Sequence, residues 1–350
     1  MQTTNRRYDI DWIRVIAIGL LLVYHVAIGF QPWGLMIGFI TNERSWPTLW
    51  IPMSMLNIWR IPLLFFVSGM GVYFSMQHKN WQQLLKERAR RILLPFLFGM
   101  FCIVPAGLLL LQYHYHWELK YVYSPGHLWF LGNIFVYTVF LLPVFFYLKK
   151  NANGRLVTLM KKVAGHPLAL LPILGAFVAE ALIMDPKPYE LYAMTWHGFF
   201  LGLLAFCSGF CFVSSGDAFW KMLLKWRWLF VSAAAALFTY RLLQSAMSVP
   251  GWQLAIESNC WVFAVFAFGY RYLNRPGKWL AYLSAAAYPV YLLHMIFLCL
   301  GSMLIFPLHI NVPLQFVLVL LFTLAGCLLT YEYIIKRVKI LRLLFGLKSK

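Results

Sequence analysis

The sequence predicts an all-α, polytopic integral membrane helix bundle of about ten transmembrane helices with both termini cytoplasmic. Composition and the placement of charge carry that reading. The 350 residues are 62% hydrophobic and only 12% charged, with a mean hydropathy of +0.70, far from the range of water-soluble domains. Lys+Arg number 30 against 11 Asp+Glu, a net charge of +19, and that excess is unevenly distributed.

Apolar runs of about 18–25 residues, the length that crosses a hydrocarbon core, lie near 11–30, 49–76, 92–112, 128–148, 167–184, 197–215, 227–245, 252–272, 279–306 and 312–334. The first follows Arg6 and Arg7 without a small-residue cleavage site, so it is read as a retained helix rather than a signal peptide. Pro62, Pro95, Pro105, Pro143, Pro172 and Pro289 fall in or at the ends of later runs, where kinks are expected to open the bundle. With the N-terminus placed inside, the cytoplasmic segments hold 25 of the 30 Lys+Arg, Arg14 included. The outer loops hold Arg44, Lys120 and Lys187 alone. This bias sets the expected orientation and accounts for the basic charge without a nucleic-acid partner. The connecting segments, around 77–91, 113–127 and 149–166, are short, so residues 1–350 are read as a single transmembrane domain. All six cysteines fall inside the runs with no CxxC pair, and they are read as small apolar core residues, not as a disulfide or zinc framework.

Two ionisable residues of the first run share a helical stripe. Arg14 and His25 are eleven positions apart, which leaves a remainder of about 20° and a rise of about 16 Å. An arginine at the membrane surface forks onto phosphate oxygens, and a histidine moves protons near neutral pH. A ligand with an anionic head and a long thin arm, such as an acyl-CoA, would touch both. Spacing alone equally allows a surface anchor paired with Asp11 and a hydrogen-bonded packing histidine. Arg88, Arg90 and Arg91 precede the third run, either as a phosphate site or as a solvated collar. His127, Glu180, His197, Arg241, Glu257 and His294 all fall in the expected outer half with His25, and Trp129, Trp196, Trp252 and Tyr291 lie near them. Together they suit a pocket for a sugar; singly, each also suits an interhelical bond. No nucleotide-binding glycine motif is present and no metal-ligand spacing beyond His114 and His116, a loose H-x-H in an outer loop, so no metal site is expected.

Five stretches carry a resemblance: the Arg14/His25 pair, "WRIPLLFFVSGMG", "RARRILLPFLFG", "GHLWFLGNIFVY" and "LSAAAYPVYLLHM". In that order, over nearly the whole chain, the sequence resembles the acyltransferase 3 family of bacterial integral membrane O-acyltransferases, in a branch similar to periplasmic-glucan succinyltransferases. The resemblance implies transfer of an acyl group, acetyl or succinyl, from cytoplasmic acyl-CoA to a hydroxyl of an extracytoplasmic glycan. It also implies location in the bacterial inner membrane. On it, His25 is catalytic, Arg14, Arg88 and Arg91 bind the donor, and no cofactor is held permanently. His127, Trp129, Glu180, Glu257 and His294 are the acceptor-pocket candidates. A secondary transporter of a small anionic or sugar substrate is the alternative, since kinked spans and buried charges serve that function too; the two halves, 1–170 and 171–350, show no paired motifs.

Overall fold

The computed structural model describes residues 6–347, which are helical almost throughout, with no strand among them. Lys348 and Lys350, two of the basic residues counted above, lie outside the described residues. The helices are α1 (Tyr8–Ile28), α2 (Trp50–Met76), α3 (Trp81–His114, in five segments), α4 (Trp129–Lys150), α5 (Arg155–Val163) and α6 (Leu170–Met184). They continue as α7 (Trp196–Ser214), α8 (Asp217–Leu242), α9 (Gly251–Tyr272), α10 (Lys278–Ile305), α11 (Val312–Thr330) and α12 (Lys339–Leu344). Every predicted run coincides with a helix. Among the described residues, nine helices are long and apolar enough to cross a membrane. The remaining run is α9, of spanning length at 22 residues, where Gln253, Glu257, Ser258 and Asn259 dilute the apolar sequence yet are all buried.

The prolines shape these helices through the carbonyl that each deprives of its N–H partner, four residues upstream. In α3 the helix loosens into π turns at Ala89–Leu93 and Gly99–Ile103, each ending two residues before a proline, Pro95 and Pro105. Pro105 frees the carbonyl of Phe101, which accepts from the Tyr121 hydroxyl at 2.7 Å. Pro62 frees that of Ile58 in α2, which accepts from both Tyr192 (3.1 Å) and Ser258 (2.8 Å). Pro172 sits in the first turn of α6, where no N–H is required.

The chain forms two compact units. The first comprises Met1–Ala17, Asn57–Lys86 and Val136–Leu280. Its centre is the crossing of α2 with α7, where backbones approach as only glycine permits. A Cβ on Gly69 would stand 1.9 Å from the carbonyl oxygen of Phe206, and one on Gly209 would stand 2.0 Å from that of Phe66. Phe145 stacks on Phe210 at 3.7 Å beside this crossing. At the N-terminus of α1, Arg7 lies over the Trp220 ring at 3.8 Å and pairs with Asp9, which is fully buried.

The second unit comprises Ile18–Leu56, Glu87–Phe135 and Ala281–Lys350. Here α10 and α11 meet at two further glycines, Gly301 against Phe322 and Gly326 against Phe297. The segment joining α1 to α2 folds on itself through Asn42 N–H to Gly29 C=O (2.7 Å) and Trp46 N–H to Phe30 C=O (2.8 Å). Three buried amide side chains complete it. Gln31 donates to the Trp46 carbonyl at 3.0 Å, Asn42 donates to Gln315 at 2.8 Å, and Gln315 donates to the carbonyls of Phe306 and Leu308 at 3.0 Å each.

The two glycines of "VSGMG" therefore differ. Gly69→Ala and Gly209→Ala should each destabilise the detergent-solubilised protein by about 1–3 kcal/mol, the usual scale of overpacking. Gly71→Ala, with no atom within 4 Å of its Cβ position, should leave Tm unchanged. Thermal unfolding of the three variants side by side tests the contrast.

Candidate functional site

Within the second unit, α10 carries His294, which is fully buried, one turn after Tyr291. His294 Nδ1 lies 2.6 Å from the Tyr291 carbonyl oxygen, and its Nε2 lies 2.8 Å from Nδ1 of His25 on α1. The two imidazoles are within 11° of parallel with centroids 5.0 Å apart, so the short N···N contact runs close to the ring planes. A carbonyl can only accept, which puts the proton of a neutral His294 on Nδ1 and its lone pair on Nε2. His25 must then donate from Nδ1, and its own lone pair falls on Nε2. Tautomers along this chain are thus dictated by one backbone oxygen.

His127 joins the pair from the short turn Gly126–Leu128 before α4. Its Nε2 donates to the Leu292 carbonyl at 3.2 Å, while its own carbonyl accepts from the Tyr291 hydroxyl at 2.5 Å. The ring stands edge-on to His294, centroids 4.9 Å apart at 81°. Gly126 makes this turn possible: its φ is +47° and the Val104 side chain lies 2.9 Å from its Cβ position. Trp129, the first residue of α4, is nearly buried beside Phe130.

Aromatic side chains border His25 on the other side. Tyr24 and Phe39 lie 5.8 and 5.5 Å from its ring, Trp50 lies 5.4 Å from Tyr24, and Trp33 meets Trp50 edge-on at 4.5 Å. Trp33, Phe39 and Trp50 are absent from the sequence-based set, because aromatic residues near helix ends are expected in any membrane protein. The signal that could have found them is the run of amides around them, Gln31 and Asn42, in an otherwise apolar stretch.

The arginines occupy basic ends of their helices. Arg14 is paired with Asp11 at 3.0 Å, the i, i+3 pairing that the sequence allows, and Asp11 also takes Arg6 at 3.0 Å. Arg91 is paired with Glu87 at 3.1 Å and is partly exposed. Arg88 closes the first segment of α3, directly before its π turn. Among the described residues no group of His, Cys, Asp and Glu could hold a metal ion. All six cysteines are free, and Cys260, Cys299 and Cys327 are buried as expected, but Cys102 is exposed on α3 and is no core residue.

Glu180 and Glu257 lie in the first unit, and each is taken up by a cation or a histidine. Glu180 meets His197 Nδ1 at 2.9 Å, and Glu257 accepts from Arg241 at 3.0 Å, with Glu190 3.8 Å from the same guanidinium. The rings of Tyr189 and Tyr192, from the loop before α7, flank His197 at 4.9 and 5.4 Å. Burial, and then the nearby carboxylates of Glu180, Glu190 and Glu257, push the Tyr189 phenol well above its ordinary pKa, which keeps it a neutral donor. Of the candidate site residues, the structure thus brings His25, His127 and His294 together, with Trp129 next along α4, and gathers Glu180 and Glu257 in a separate network of ion pairs.

Comparison with known proteins agrees with the motifs. Residues 7–332 match the family model of the acyltransferase 3 domain, described as an acyltransferase domain. No curated protein and no solved structure matches the chain. The match begins just before α1 and ends in the π turn that follows α11, so it takes in His25, His127 and His294 with every long helix between them. By that extent the chain belongs to the acyltransferase 3 family and is a multi-pass membrane acyltransferase.

Proposed function

We propose that this enzyme transfers an acetyl or succinyl group from cytoplasmic acyl-CoA to a hydroxyl of an extracytoplasmic glycan in the inner membrane of a bacterium. His25 is the base and His294 positions it. The observation that carries this reading is the chain Tyr291 C=O, His294, His25, which leaves the basic lone pair of His25 on Nε2. That nitrogen takes the proton of the acceptor hydroxyl as its oxygen bonds to the thioester carbonyl carbon. The tetrahedral intermediate collapses, the C–S bond breaks, and the imidazolium returns the proton to the departing thiolate. A covalent route through an acylated Nε2 would use the same lone pair.

On this reading Arg14, Arg88 and Arg91 take the phosphates of the donor, as the family resemblance implies. His127 and Trp129 serve the acceptor, the first by polar contact and the second by stacking on a sugar face. Tyr24, Trp33 and Trp50 add aromatic surface of the kind that sugars favour. Glu180 and Glu257 are reassigned to holding the first unit together, since removing one partner of a buried ion pair costs about 3–5 kcal/mol.

His25→Ala should fold and insert normally while kcat falls at least about a hundredfold, the scale of a lost general base. Wild-type turnover in that variant would reject the role. His294→Ala should lower kcat with KM for both substrates little changed, and His294→Gln, whose amide oxygen can accept from His25 Nδ1, should recover part of the loss. A merely structural His294 would give no such recovery.

Arg88→Ala and Arg91→Ala should raise KM for acyl-CoA more than they lower kcat, as expected for contacts made equally in ground and transition states. Unchanged CoA binding by calorimetry would leave these arginines to topology alone. In oriented proteoliposomes, acyl-CoA on the Lys/Arg-rich side should acylate a glycan enclosed on the other. Turnover with both substrates confined to the opposite face would overturn the transmembrane route.

A further inference from the structure

The stretch from the last two residues of α4 to the start of α6 holds Lys149, Lys150, Arg155, Lys161 and Lys162 and not one acidic residue. Within it lies α5, nine residues long. Val157 is buried against the first unit, whereas Leu159 and Val163, one turn apart on a single stripe, are 57% and 43% exposed. Apolar side chains in the open beside a dense positive charge have no use in water. They are the two halves of a helix that lies in a membrane interface.

Behind α5, the ends of α2, α4 and α7 enclose a cavity of about 100 Å³. Its wall combines polar Gln77, Ser214, Lys149 and Lys161 with apolar side chains that include Met76 and Phe210. Lys149 Nζ donates to the carbonyls of Met76 and Lys79 at the end of α2, and Lys161 Nζ lies 3.4 Å from the Ala152 carbonyl. Both ammonium groups are therefore held at the rim by neutral oxygens, and neither has its charge cancelled by a carboxylate of the cavity wall.

We propose that this cavity seats the head group of an anionic phospholipid, with α5 lying on the membrane surface as its lid. Lys149 and Lys161 face the phosphate, Gln77 and Ser214 face the glycerol hydroxyls, and Leu159 and Val163 enter the acyl boundary. A soluble anion would answer the charge but would leave the apolar wall and the exposed stripe unused. A zwitterionic lipid would answer the apolar wall and leave the cations uncompensated. The site is independent of the residues assigned to acyl transfer.

Purified protein titrated in detergent with phosphatidylglycerol or phosphatidylcholine, followed by native mass spectrometry, tests the proposal without turnover. One phosphatidylglycerol should be retained in preference to phosphatidylcholine. Lys161→Gln, at an exposed position, should weaken that binding by about fivefold, the effect of one basic residue at an anionic surface, and leave phosphatidylcholine unaffected. Leu159→Ser with Val163→Ser should reduce retention of the same lipid while Tm stays put. Equal retention of the two lipids, or no effect of Lys161→Gln, would overturn the proposal. Displacement of phosphatidylglycerol by inorganic phosphate or by CoA would overturn it too, by assigning the cavity to a soluble anion.

Discussion

A bilayer interior supplies no hydrogen-bond partner, so each polar group placed there must find one inside the protein. Proline makes the demand acute, because each internal proline strips a carbonyl of its helical donor. This chain answers with hydroxyls. The Ile58 carbonyl, exposed by Pro62, gathers Tyr192 and Ser258 onto α2, and the Phe101 carbonyl, exposed by Pro105, captures Tyr121. The proline that frees each carbonyl thus also creates the site of a tether. The same rule governs buried charged residues, where Glu180 meets His197, and Arg241 meets Glu257 and Glu190.

The histidine site follows from this economy. Tyr291 contributes both its carbonyl, which orients His294, and its hydroxyl, which holds the backbone of His127. One residue of α10 therefore sets the position of two histidines and, through the first, the tautomer of a third on α1. The buried amides Gln31, Asn42 and Gln315 do for the segment after α1 what hydroxyls do for the prolines, and that segment carries Phe39, which borders His25, and Trp33, which meets Trp50.

The helices were legible because a spanning run is written in consecutive residues, and all ten predicted runs appear. Even α9, the least apolar, was readable from its length and the apolar residues flanking Glu257. The prolines of α3 were readable as irregularities, though not as π turns, whose form depends on what donates to the freed carbonyl. His25 and His294 were both singled out, but their bond joins positions 269 residues apart, and no local pattern encodes it. Glu180 and Glu257 were legible as buried acids and illegible as partners of His197 and Arg241 for the same reason. Trp33 and Trp50 were hidden by commonness, since tryptophan at a helix end signals an interface wherever it occurs.

The group that accepts from His25 is an imidazole, where His197 has a carboxylate, Glu180, as its partner. A pair of neutral imidazoles brings no carboxylate into contact with His25, whereas a carboxylate there would carry a desolvation cost of several kcal/mol even after relaxation. Charge is created only when a proton arrives, as one cation that two coplanar rings can share. Such a pair confines the electrostatic demand on the apolar interior to the moment of protonation.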